Sequence, residues 1–94
     1  MSSSKPGGQK YKRAPNAAWR RVESESIVLD LTTSVYYSLN ETASFIWERL
    51  ESGSSMAEVE TGLCAEFDVT PQEAARDLKN VVAKFCREKL LIPA

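Results

Sequence analysis

The chain has no histidine, only two cysteines, four glycines and four prolines among 94 residues, and no acidic side chain before Glu23. Without histidine it lacks the commonest general base near neutral pH and the commonest metal ligand. No serine lies in a nucleophile elbow, no glycine-rich loop is present to cradle phosphates, and no carboxylates recur at metal-ligand spacing. Cys64 and Cys86 fall in stretches of helical periodicity, where they read as small apolar residues and not as a redox or zinc pair. Glu41, Glu48 and Glu51 share one helical stretch and read as helix-favouring surface residues. The chain is therefore expected to be no enzyme and to carry no metal and no cofactor. An apolar run of 18 residues is also missing, and the start MSSSKPGGQKYKRAP has bases but no apolar core. These two absences argue against a membrane span and a signal peptide and make a cytoplasmic protein the expectation.

What is present is unevenly distributed. Residues 1–21 hold six bases and no acid, whereas residues 22–94 hold six bases against thirteen acids, a net charge of −7. An acidic body repels phosphates, so nucleic acid is not expected as a partner beyond a weak, salt-sensitive contact of the tail. Residues 1–16, with Pro6, Gly7, Gly8 and Pro15 and no apolar periodicity, are read as a disordered basic tail. Residues 17–94 are long enough for one domain with a modest core.

Within that domain three short strands are predicted. The first, near 18–23, has Trp19 and Val22 out of strict alternation. In the second, Ile27, Leu29 and Leu31 alternate with Val28 and Asp30, which predicts that the odd positions face the core. Thr32, Thr33 and Ser34 make a polar turn, and Val35 to Leu39 form a third strand whose odd positions, Val35, Tyr37 and Leu39, share the face of the preceding strand.

Three helices follow. Asn40 is a good N-cap for a helix over 41–51 with Ala43, Ile46, Trp47 and Leu50 on one side. Gly53 ends it, and Ser54 or Ser55 caps a second helix with Met56, Val59, Leu63 and Phe67 on one face. Gly62 inside that helix weakens it by about 1 kcal/mol relative to alanine. Thr70, Pro71 and Glu73 form a full capping box with proline at the first helical position. The third helix is predicted to run to about Lys89, with one stripe of Ala75, Leu78, Val82, Phe85 and Lys89. Beside it lies a stripe of Ala74, Asp77, Val81, Lys84 and Glu88, half apolar and half charged. The fold class is thus α+β: a winged helix-turn-helix-like domain, a three-stranded antiparallel sheet followed by three helices.

At this point the residues resemble a family. The LDL strand, the YYSLN junction, the FIW helix and the DVTPQEAARD start of the last helix make residues 27–92 similar to the PqqD-like family, the RiPP recognition elements. The resemblance implies a small non-catalytic domain that binds the leader region of a ribosomally made precursor peptide and presents it to a maturation enzyme. In lasso-peptide pathways that enzyme is a leader peptidase, and in quinone-cofactor synthesis it is a radical SAM enzyme. The chain lacks the Tyr-Pro-Glu-Gly hairpin segment associated with the quinone-pathway members, which favours the lasso type. In the family the guest adds to the third strand and packs against the last helix. Carried over, Ser34, Val35, Tyr36, Tyr37 and Ser38 are the implied main-chain wall of the peptide-binding site. Periodicity adds Ala74, Asp77, Val81 and Lys84 as the helical wall.

Elementary chemistry agrees with such a site. An edge strand offers unpaired N–H and C=O groups, and residues 34–39 contain no Pro, Lys or Asp to blunt pairing. Plainer readings stand beside it: Tyr36 and Tyr37 as sheet-packing aromatics, Trp19 and Trp47 as core, Asp77 and Lys84 as ordinary surface charges. The order of elements also suits a winged-helix DNA-binding regulator. Against that, the second helix carries Glu58, Glu60 and Glu66 with no base, and the bases of the third are interleaved with acids. Self-pairing of the exposed strand is a third reading, so a monomer or weak dimer is expected.

Overall fold

A computed structural model describes residues 8–94, so Lys5 and the start of the basic tail lie outside the described residues. The elements run β1 (Tyr11–Arg13), β2 (Ala17–Val22), β3 (Glu25–Asp30), β4 (Val35–Leu39), α1 (Glu41–Glu51), α2 (Met56–Glu66), α3 (Pro71–Arg87) and β5 (Leu91–Pro93). Strands β2, β3 and β4 form an antiparallel meander in that order, as the alternation predicts.

The helix ends follow from local chemistry. The Asn40 side chain accepts from the Ala43 N–H at the start of α1, and Gly53, at φ 105°, lets the chain turn away after its end. Ser55 with Glu58 and Thr70 with Glu73 form reciprocal capping boxes on α2 and α3, the latter with Pro71 in the first turn. In both boxes the backbone N–H bonded to the glutamate is the main reason its carboxyl stays below the ordinary range.

The core lies between the helices and the inner face of the sheet. Ile46, Trp47 and Leu50 of α1 meet Val59 and Leu63 of α2, Leu78, Val82 and Phe85 of α3, and Val28 and Leu39 of the sheet. Trp47 is fully buried and stands edge-on to Phe85, ring centroids 5.2 Å apart, as the packing reading of Trp47 requires. Gly62 serves a close approach: a Cβ there would lie 2.9 Å from Cζ of Phe45. That ring is itself held edge-on by Phe67 at 5.6 Å and covered by the Arg49 guanidinium at 4.7 Å.

Five expectations are corrected. The inner face of β3 is the even one: Ser26, Val28 and Asp30 are buried, Ile27 and Leu29 are half-buried on the outside, and Leu31 is 57% exposed. Polar residues can occupy that face because each is satisfied. The Ser26 N–H donates to Ser44 Oγ and its hydroxyl to Glu48, and Asp30 accepts from Asn16, Thr32 and Thr33. The odd positions of β4 do turn inward at Tyr37 and Leu39, but opposite Val28 and Ser26 instead of the odd residues of β3. Residues 8–16 are not featureless either. β1 pairs with β5, the Met56 N–H donates to the Gln9 carbonyl, and Lys10 bridges Ser55, so the N-terminal segment is sewn to both the helical layer and the C-terminus. Finally, α3 stops at Arg87, where Lys89 adopts φ 61° and the Leu90 N–H returns to the Phe85 carbonyl. The buried stripe of α3 begins at Ala74 and not at the exposed Ala75.

Candidate functional site

β4 is an edge: β3 pairs with one side of it and, among the described residues, no strand pairs with the other. It does not pack closely on α3, and the gap between them is a groove of about 450 Å³. The groove takes its apolar surface from Leu39, Ala43, Val81, Phe85 and Leu90, and its polar rim from Tyr36, Ser38, Asn40, Lys84 and Glu88. The Tyr37 hydroxyl donates to Glu88 Oε1 at 2.9 Å, tying the strand to the end of α3. This bond to a carboxylate is the main cause that raises the phenol above its ordinary value, with burial and the charges of Glu88 and Asp30 adding to it. Tyr37 is consequently a hydrogen-bond donor at neutral pH.

Of the residues expected at the site, Tyr36, Tyr37, Ser38, Val81 and Lys84 are brought together in the groove. Ser34, Val35, Ala74 and Asp77 are not among its lining. Ser34 sits in the β3–β4 turn at φ 62°, and Val35 opens the strand outside the groove, 44% exposed. Ala74, 1% exposed, is core, and Asp77 is half-buried further up α3. The expected helical stripe is straight, but only its C-terminal half lines the groove. Sequence reasoning passed over Leu39, Asn40, Ala43, Phe85, Glu88 and Leu90. Glu88 was legible as the last member of the mixed stripe, while Ala43 and Phe85 were assigned to core-facing stripes alone, and Leu90 gave no local sign.

A second cleft, about 740 Å³, lies between β2, α1 and the end of α2, with Trp19, Phe45 and Phe67 on its walls. Its charges are largely engaged within the chain. Arg21 contacts Glu48 at 2.6 Å, Glu48 also accepts from Ser26, and Arg49 covers Phe45. Trp19 is half-buried there and packs against the core.

Among the described residues no group of three or more Cys, Asp or Glu stands close enough to hold a metal ion, and no helix is long and apolar enough to cross a membrane. Both cysteines are free, and burial pushes the Cys86 thiol up, away from reactivity. The second helix of the helix-turn-helix-like pair, α2, presents Glu58, Glu60 and Glu66 and no base, a surface unsuited to DNA.

A family model described as coenzyme PQQ synthesis protein D (PqqD) matches residues 25–91, more than half of the chain. No curated protein sequence matches significantly. Two solved structures share the fold. The protein TbiB1 in complex with the TbiA(beta) leader peptide aligns at 29% identity and a TM-score of 0.81, over 85% of this chain and 93% of that one. A lasso peptide synthetase B1 complexed with the leader peptide aligns at 27% identity and a TM-score of 0.82, over 89% of this chain and 99% of that one.

Proposed function

The chain belongs to the PqqD family, and on that premise we propose that it is a non-catalytic recognition protein for the leader region of a ribosomally synthesised precursor peptide, of the lasso type. It captures the leader as an added strand on β4 and delivers it to a maturation enzyme, a leader peptidase or another tailoring enzyme such as a radical SAM protein. The observation that carries this reading is the open β4 edge beside an apolar groove in a fold shared with two leader-peptide complexes. A cytoplasmic location goes with it, because the guest is made on ribosomes.

The physical division of labour is simple. A strand of five residues supplies a few main-chain hydrogen bonds, each with a net worth of about 1 kcal/mol, and these are indifferent to sequence. Selectivity therefore falls to side chains that enter between β4 and α3, where Leu39, Ala43, Val81 and Phe85 accept an apolar anchor. Alternate guest residues face this floor and the others face solvent. The test is fluorescence anisotropy of a labelled leader peptide of a lasso-type precursor, with a random DNA duplex titrated in parallel. Saturable leader binding at micromolar concentration or tighter, insensitive to moderate salt, is expected. A protein that binds only the duplex, or that binds no leader, overturns the reading.

A further inference from the structure

The groove carries a cation that no described residue pairs. Lys84 stands exposed on its rim and makes no ion pair among the described residues. Its neighbour one turn on, Glu88, is bonded to the Tyr37 hydroxyl at 2.9 Å. Asp77 lies two turns back, about 10 Å along the axis. Val81 and Phe85 lie beside Lys84, and Leu39 and Ala43 line the floor of the same groove. A cation next to apolar surface in a cleft acts through a lower effective dielectric than one on an open face.

We propose that Lys84 is a specificity determinant: it selects guest peptides that place a carboxylate two residues from the apolar side chain seated on Val81. This rests on the groove being the peptide site, and the spacing follows for a guest strand that runs alongside α3. Val81 and Lys84 are three residues apart on α3, about 4.5 Å along the helix axis. On one face of a strand, side chains recur every second residue, about 6.7 Å apart. The lysine stem is long enough to span the difference of about 2 Å. Adjacent guest residues point to opposite faces, and a spacing of four, about 13 Å, overshoots the ammonium. The selected pattern is thus apolar-x-acid, or acid-x-apolar if the guest runs the other way.

The test uses a displayed library of randomised nonapeptides selected on the immobilised full chain and on its K84Q and K84E variants, each checked for an unchanged thermal transition. The parent chain is expected to enrich Asp or Glu two positions from an apolar residue. K84Q loses that preference, and K84E replaces it with Lys or Arg. A synthetic peptide of the enriched sequence binds K84Q more weakly by roughly threefold to tenfold, the range for a partly desolvated charge pair, with a difference that shrinks as salt rises. An acid preference that survives in K84E, or enrichment of apolar residues with no charge preference on the parent, overturns the assignment while leaving the groove reading intact. Failure of the parent to enrich any peptide overturns both.

Discussion

The three-stranded sheet has two edges that differ in what lies against them. Along β2, the Arg13 guanidinium donates to the Ala17 carbonyl at 2.6 Å, and Arg21 is anchored to Glu48 at 2.6 Å and to the Glu23 carbonyl at 2.8 Å. Long basic side chains along an edge discourage a further strand. Along β4 stand Val35, Tyr36, Tyr37 and Ser38, uncharged and free of proline, beside a groove. The same contrast separates the two clefts. The larger one, beside β2, holds Arg21, Glu48 and Arg49 in contacts within the chain, whereas the smaller one, beside β4, combines an open edge, an apolar floor and a cation with no ion pair among the described residues.

The sharpest break of this contrast is Val81→Asp, which puts a charge on the groove's apolar floor. Leader affinity is expected to fall by more than tenfold in the anisotropy assay, about 1.4 kcal/mol or more. Arg20→Glu, on the opposite edge, leaves it unchanged. A loss in both variants, each with its thermal transition retained, would remove the distinction between the edges.

A smaller effect is expected from Arg13→Ala, which frees the Ala17 carbonyl. Stability read by urea unfolding should drop by about 1 kcal/mol, the net worth of a charge-assisted hydrogen bond discounted for its partial exposure, with no loss of leader affinity. If the vacated edge began to pair with a second copy, light scattering would show it.

The subtlest test concerns Asp30, which joins the two edges by accepting from Asn16 ahead of β2 and from Thr32 and Thr33 ahead of β4. The Thr32 N–H, first among these donors, holds its carboxyl below the ordinary value. A carboxyl depressed by folding stabilises the fold fully above its unfolded value of about 3.9 and loses that contribution as pH falls through the folded value. Asp30→Asn should therefore lower the Tm at neutral pH, and the gap to the parent should close as pH falls below about 4. A gap independent of pH would mean that the ionised form is not what those donors stabilise.

Much of the helical half could be read directly because its signals are local. Asn40, Ser55 and Thr70 each cap the helix that follows within three residues, and the apolar spacing inside each helix points at the core. β3 was misread for a reason that is also physical. Alternation identifies a strand but not its inner side when both faces carry apolar residues, and Ser26 and Asp30 are buried only because Ser44, Glu48 and Asn16 arrive from elsewhere in the chain to bond with them. The candidate site was half legible: Tyr36, Tyr37, Ser38, Val81 and Lys84 fall in the groove, while Ala74 and Asp77 share their helical stripe with Val81 but not its position beside β4.

By itself the sequence determined the elements that close on themselves: the β2–β3–β4 meander, three capped helices, and an uncharged third strand unable to blunt its own edge. Tertiary structure alone decided the pairing of Tyr11–Arg13 with Leu91–Pro93, the polar inner face of β3, and which end of α3 lies against β4. Each of these depends on groups far apart in the chain, and a contact made across such a distance leaves no periodicity in either partner from which it could be read.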